Sequence, residues 1–326
     1  MDYRLWLAVS LTLALLGCDE GNDPPTEVAT TESTQEGPEA PEAPEAEAIP
    51  AGPIADSWVE ARVTEARERM EATEAGDLVW QSIQTAGGLA NWLKSGTIAF
   101  EFDYQPLSAP ERRMHTAQKV DLWRSRAVHE ELDGGAGEVA TFGWDGERAW
   151  ITPDAEAFPS PARFWALTPY YFVGMPFVVA DPGTRYELLE NAELDGESYR
   201  LVKISYEEGT GDSPDDYYIL YIHPESYELA ALRYVVAYPG FFPEGGHSPE
   251  KLMRYTDYHR VGELQFAGTL DTYAWTPGED GEPGSVGDKV TAIQVSEVTM
   301  GDEWDADVFA SVEGAQVSSE IEPRAH

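Results

Sequence analysis

The sequence predicts a mainly β chain with flanking helices, an α+β arrangement on a single large curved antiparallel sheet of about eleven strands, a half-barrel in outline. Three observations predict it. From Thr97 to Tyr104, apolar Ile98, Phe100, Phe102 and Tyr104 alternate with Thr97, Ala99, Glu101 and Asp103, the period of a strand with one buried side. Further apolar-rich runs follow, several joined by tight-turn pairs such as Asp145-Gly146 and Asp195-Gly196, which suit hairpins. The long interruption, Ser160 to Ala180, is crowded with aromatic residues and contains Pro169 and Pro176. It reads as short helical pieces laid over an apolar surface.

The elements are justified in chain order. Met1-Asp2-Tyr3-Arg4 precedes an apolar run from Leu5 to Leu16, too short to span a hydrocarbon core of about 30 Å but suited to a signal h-region. The run ends in Leu15-Leu16-Gly17-Cys18, which resembles the lipobox of bacterial lipoproteins. That resemblance implies cleavage after residue 17 and a lipid on Cys18, the single cysteine of the chain. One thiol forms no internal disulfide, so the core alone must hold the fold.

Residues 18–56 read as a lipidated start and an acidic tether without Lys or Arg, containing the repeat Pro38-Glu39-Ala40-Pro41-Glu42-Ala43-Pro44-Glu45-Ala46. Such a segment has too little apolar surface to offset its ordering entropy, and proline spacing favours an extended spacer. At about 3.1 Å per residue it reaches on the order of 100 Å. A globular domain is expected over 57–312 and a disordered tail over 313–326.

Ser57 is the expected cap of a first helix running to about Ala75, with Val59, Val63, Ala66 and Met70 on one face. Gly76-Asp77 should break and recap it, and a second helix should end at Gly87-Gly88. Leu89 to Leu93 reads as a short turn into the sheet. Strands are expected at Ile98–Tyr104, Lys119–Val128, Glu138–Trp144, Arg148–Ile151, Tyr186–Glu193 and Tyr199–Tyr206. Tyr217–His223, Leu229–Tyr238, Leu252–Tyr258, Leu264–Trp275 and Lys289–Met300 complete the set.

The order of these features resembles the LolA/LolB-like lipoprotein-carrier fold, and especially outer-membrane lipoprotein-sorting-like proteins built on it. The features are Gly87-Gly88 with Trp92, the hairpin Trp144-Asp145-Gly146-Glu147-Arg148-Ala149-Trp150, the aromatic insertion, the pair around Leu194-Asp195-Gly196, and Asp216-Tyr217-Tyr218-Ile219-Leu220-Tyr221-Ile222. The resemblance covers roughly residues 78–309. It implies an open β half-barrel whose capped, apolar hollow holds acyl chains.

Composition narrows the function. Sixty acidic against 21 basic residues give a net charge of −39, which repels nucleic-acid phosphates and anionic lipid heads. Membrane contact is therefore expected through the lipid anchor. The six histidines show no paired metal spacing, and no nucleophile elbow, Walker loop or dinucleotide fingerprint is present. His223 beside Pro224 reads as a turn residue, Glu244 with His247 as a weak pair, and Gly209 to Asp216 as a solvated acidic turn rather than a calcium loop. No catalysis, cofactor or metal is expected, and the chain is expected to be a monomer.

Ten Trp, 16 Tyr and 11 Phe are the positive signal. Trp92, Phe100, Phe102, Trp123, Trp150, Phe164, Trp165, Tyr170, Tyr171 and Met175 are the candidate lining of a hydrophobic cavity and its lid. The expected function is an envelope lipoprotein that holds a hydrophobic small molecule or the acyl chains of a lipoprotein. The alternatives are a protein-interaction or sensory module on the same scaffold, and a hydrolase. Sequence alone leaves open whether side chains fill the hollow.

Overall fold

The computed structural model describes residues 54–133, 139–207, 209–210, 213, 215–278, 284–301 and 305–317. The expected signal segment, Cys18, most of the tether and the last part of the tail lie outside the described residues.

The chain opens with three helices, α1 (Asp56–Glu71), α2 (Glu74–Thr85) and α3 (Leu89–Ser95). Helix α1 is capped by Ala55 rather than Ser57 and stops at Glu71. Thr73 then caps α2, its hydroxyl accepting from Gly76 N. Gly76, expected to break a helix, lies inside one because α1 and α2 meet there: a Cβ at Gly76 would fall 2.2 Å from the Met70 carbonyl oxygen. The segment expected as a turn after Gly88 is helix α3.

Thirteen strands among the described residues form one open antiparallel sheet that does not close into a barrel. They are β1 (Thr97–Pro106), β2 (Met114–Asp121), β3 (Arg126–Glu131), β4 (Thr141–Trp144), β5 (Ala149–Thr152), β6 (Thr184–Leu194), β7 (Glu197–Tyr206), β8 (Tyr218–Ile222), β9 (Leu229–Tyr234), β10 (Lys251–Val261), β11 (Leu264–Thr276), β12 (Ser285–Met300) and β13 (Gln316–Val317). The curved sheet with flanking helices is the architecture read from the sequence.

Two strands exceed the expected number. The run read as one strand, Lys119–Val128, is two, because buried Asp121 accepts hydrogen bonds from the backbone N–H groups of Trp123 and Arg124 at 3.0 and 3.2 Å and turns the chain. Ser125 completes the turn with φ 51°. The other is β13, which lies in the stretch expected as a tail and pairs with β5 through Gln316–Ile151 and Val317–Trp150.

The sheet order is β13-β5-β4-β3-β2-β1-β12-β11-β10-β9-β8-β7-β6. It consists of two meanders joined where β1 lies beside β12. Strands β5 and β6 are consecutive in sequence yet stand near opposite ends of the sheet. Whatever links them must cross one face. That link holds helix α4 (Ala162–Val173) and the 3-10 helix Phe177–Ala180, so topology alone lays the aromatic insertion over the sheet. Pro169 does not break α4 as expected; Trp165 on one side of it and Tyr170 and Phe172 on the other are all buried, and this packing holds the turn that proline weakens. Gly174 and Pro176 do end the helix.

Most of the core lies between the sheet and these four helices. A second, smaller cluster, including Leu201, Tyr221, Ala231 and Leu252, occupies the outer face of the second meander.

Candidate functional site

Helix α4 begins over β3, β4 and β5, and its C-terminal end reaches the second meander. Tyr171 approaches Tyr218 of β8 at 5.3 Å and Phe172 approaches Tyr234 of β9 at 5.0 Å between ring centroids. The sheet also holds the backbone of this segment. His129 donates from Nε2 to the Ala166 carbonyl at 2.8 Å, Tyr255 to Phe172 at 2.9 Å and Tyr186 to Val179 at 2.6 Å. The hydroxyls of Tyr171 and Tyr206 are hydrogen-bonded to each other. Burial forces His129 towards its neutral form, lowering its pKa to about 4, while burial pushes the phenols of Tyr171 and Tyr218 well above the usual tyrosine range.

Eight of the ten predicted lining residues come together in this layer. Trp92 stacks on Phe177 at 4.7 Å, with Tyr170 at 6.1 Å. Phe100 meets Phe102 edge-on at 6.4 Å, and Trp165 stands edge-on to Phe102 and Tyr104 at 6.1 and 5.3 Å. Tyr171 and Phe164 pack at the margin, Phe164 against Tyr238 and Phe241 at 5.0 and 4.9 Å. Met175 is buried in the same cluster.

The other two lie elsewhere. Trp123 sits in the turn between β2 and β3, where its ring covers Gly96 and its Nε1–H donates to Leu93 O at 2.7 Å. Trp150 pairs with Gly143 while Ile151 pairs with Phe142. Since Phe142 and Ile151 belong to the helix-covered core, alternation sends Trp150 to the outer face. There its indole lies over Gly143, where a Cβ would come within 3.0 Å of the ring.

The hollow expected beneath the aromatic cover is filled by side chains. A cleft among the described residues of this layer has about 10 Å³, room for about one water, against roughly 300–1,000 Å³ for ligand pockets. It is lined by Leu89, Trp92, Leu93, Tyr170, Phe177 and Val178, with Arg62 and Asp181 also at its wall. Arg62 Nη2 donates to Asp181 Oδ1 at 3.3 Å, and Arg69 Nη2 to the Ala180 and Asp181 carbonyls at 2.5 and 3.1 Å. These two arginines of α1 fasten the end of the insertion.

Sequence reasoning counted Phe177 in the aromatic insertion but not in the lining, and passed over Arg62, Arg69 and three buried polar side chains on the helix-covered face, Thr116, Gln118 and His129. The first two were accessible from the period: Met114, Thr116, Gln118 and Val120 share one face of β2. His223 is the expected turn residue, its Nδ1 accepting from Glu225 N and Ser226 N. His247 donates from Nδ1 to Ser248 O at 2.7 Å. Among the described residues no group of three or more His, Cys, Asp or Glu is placed to hold a metal, and no helix is long and apolar enough to cross a membrane. Part of the loop from Gly209 to Asp216 lies outside the described residues.

No family model and no curated protein matches this sequence. Solved structures do. A LolA superfamily protein from Nitrosomonas europaea is similar at 10% identity and a TM-score of 0.42, over 66% of this chain and 89% of that one. A putative outer membrane lipoprotein-sorting protein domain from Vibrio parahaemolyticus is similar at 9% identity and a TM-score of 0.39, over 77% and 97%. A DUF1329 family protein from Desulfovibrio piger is similar at 10% identity and a TM-score of 0.43, over 76% and 97%.

Proposed function

We propose that the chain is a non-catalytic, lipid-anchored protein of the bacterial envelope that takes up a hydrophobic ligand, an acyl chain or lipid, on the helix-covered face of its sheet. In this reading the state described is the closed one, with the segment Ala162–Ala180 in the ligand's place. A single observation carries it: the segment covers the apolar face without contributing a strand. It crosses from β5 to β6 outside the ladder, so its withdrawal breaks ring contacts, a few hydrogen bonds to its carbonyls and the Tyr171–Tyr206 hydroxyl bond, but no strand pairing. A ligand that covers the same apolar area restores most of the burial free energy, at about 25 cal/mol per Å². The lipobox-like Leu15-Leu16-Gly17-Cys18 supports the anchor, and the charge of −39 argues against direct contact with anionic lipid.

The test is chemical. Lipid extracted from the purified mature chain is identified by mass spectrometry, and a fluorescent fatty-acid probe is titrated into the delipidated protein. Saturable probe binding that bound lipid competes away is the expected result; an empty protein that ignores the probe overturns the reading.

A second reading, a module that binds a partner chain, is favoured by β6. This strand ends the sheet order, so one edge has no strand partner among the described residues, and Glu187, Glu190 and Glu193 mark it as acidic. A basic extended segment suits such an edge. Crosslinking in membranes that recovers a protein partner at β6, with no bound lipid, would select it.

A further inference from the structure

The sheet holds the insertion by its main chain. His129 of β3, Tyr186 of β6 and Tyr255 of β10 each donate to one carbonyl of the segment, those of Ala166, Val179 and Phe172. The three donors stand on strands and keep their places when the segment leaves; the three acceptors go with it. A ligand that takes the vacated place meets the donors.

Burial separates the two donors of the second meander. Tyr186 is half-buried on the edge strand β6, so water is at hand to replace Val179. Tyr255 is 5% exposed and stands four strands in from that edge. Its acceptor belongs to Phe172, whose ring lies 5.0 Å from Tyr234 and 6.4 Å from Tyr218, both buried. A hydrocarbon laid here in place of the segment leaves the Tyr255 hydroxyl covered and unpaired, with its desolvation penalty unrelieved. The Phe172 oxygen, 2.9 Å away, shows the chemistry that relieves it, a neutral carbonyl.

The surroundings also bear on charge. Burial holds the Tyr255 phenol well above the usual tyrosine range, and the titratable groups that add to this among the described residues are two more phenols, Tyr258 and Tyr234. They supply no cation to balance a buried carboxylate.

We infer that the ligand is a neutral acyl ester whose carbonyl oxygen takes the position of the Phe172 oxygen and accepts from Tyr255. An ester brings this acceptor and no donor that needs a partner in turn; an ionised carboxylate brings the acceptor together with a charge. The inference rests on the proposed binding reading and adds to it the chemistry that the ligand presents to β10.

Ethyl decanoate, decyl ethyl ether and ionised decanoate are titrated into the delipidated mature chain. The ester and the ether differ by one carbonyl oxygen, and apolar area alone favours the ether. The ester is expected to bind about tenfold tighter than either of the others. Tyr255→Phe keeps the ring and should bring ester and ether within about twofold of each other. That substitution also frees Phe172, which eases withdrawal for every ligand alike, so the readout is the ratio of the two affinities. Tyr186→Phe should leave the ratio as it is. In infrared spectra the ester carbonyl band, which lies clear of the protein amide bands, should move to lower wavenumber on binding to the parent chain; this remains informative if Tyr255→Phe fails to fold. Equal affinity for ester and ether, a preference that survives in Tyr255→Phe, decanoate binding as tightly as the ester, or a carbonyl band that binding leaves unmoved overturns the ester assignment while chain binding stands. If none of the three probes binds, the binding reading fails as well.

Discussion

Phe177 lies flat against Trp92, with ring centroids 4.7 Å apart and planes 7° from parallel. This pair joins the end of the insertion to α3, and both residues are nearly inaccessible, at 1% and 2% exposed. Phe177→Ala removes the ring from a packed layer and should cost about 3–5 kcal/mol in urea unfolding. A cost below about 1 kcal/mol would mean that the layer closes over the loss, and that the insertion is looser than its contacts show.

The two arginines that fasten the same end should differ in weight. Arg69 donates to backbone carbonyls in a part-buried place, where a charge-assisted bond contributes about 1.5–3 kcal/mol. Arg62 meets an Asp181 side chain that is 64% exposed, and such pairs contribute about 0–1 kcal/mol. Arg69→Ala should therefore lower the unfolding midpoint clearly, and Asp181→Ala only slightly. The reverse order in thermal unfolding would place the fastening on the ion pair.

At the other side of the sheet, Asp121 is 0% exposed and braces the β2–β3 turn. It accepts from two backbone N–H groups and from Arg126 Nη2 at 2.7 Å and Arg124 Nη1 at 3.2 Å. Asp121→Asn removes the charge from a buried network and takes from two guanidinium groups the carboxylate that they share. A loss of about 3 kcal/mol is expected by denaturant titration. A neutral outcome would show that water reaches the arginines.

What was legible in the sequence follows from what is local. The alternation of Ile98, Phe100, Phe102 and Tyr104 states the face of β1 without reference to any neighbour, and the Asp-Gly pairs state their turns. The placement of β5 and β6 near opposite ends of the sheet is a property of strand order, which no local pattern encodes. For that reason the crowding of aromatics in residues 160–180 was visible while the span that they cross was not. Trp150 was misplaced because its short strand is apolar on both faces: Ala149, Trp150 and Ile151 are all buried, so no polar residue marks the outer side. Trp123 was read into a strand because the turn there depends on the side chain of Asp121. Whether the layer is filled depends on how Trp92, Tyr170 and Phe177 interlock across three helical pieces, and periodicity does not contain that information.

Asp216 gives a pH test. Its Oδ1 accepts from Ala237 N at 2.5 Å, and burial pushes its pKa up to about 6. A carboxyl whose folded pKa is raised binds more protons folded than unfolded between about pH 4 and 6, so stability falls as pH rises through that window. Asp216→Asn keeps the acceptor and removes the titration. The variant should be more stable than the parent at pH 7, by on the order of 1–2 kcal/mol after allowance for partial exposure, and the two should converge near pH 4. Parallel stability curves would show that Asp216 is solvated as an ordinary carboxylate.

His129 runs in the opposite sense. Its folded pKa is lowered to about 4 by burial, so the unfolded chain binds more protons between about pH 6.5 and 4, and stability is lost as the pH falls through that range. The same residue must carry its proton on Nε2 to bond Ala166 O. Nitrogen-detected NMR of the folded chain should therefore show the Nε2–H tautomer at neutral pH, with no ring titration above about pH 5. A His129 ring that protonates near pH 6.5, the ordinary range for the side chain, would mean that water already reaches β3 beneath α4. The insertion would then stand open without any ligand.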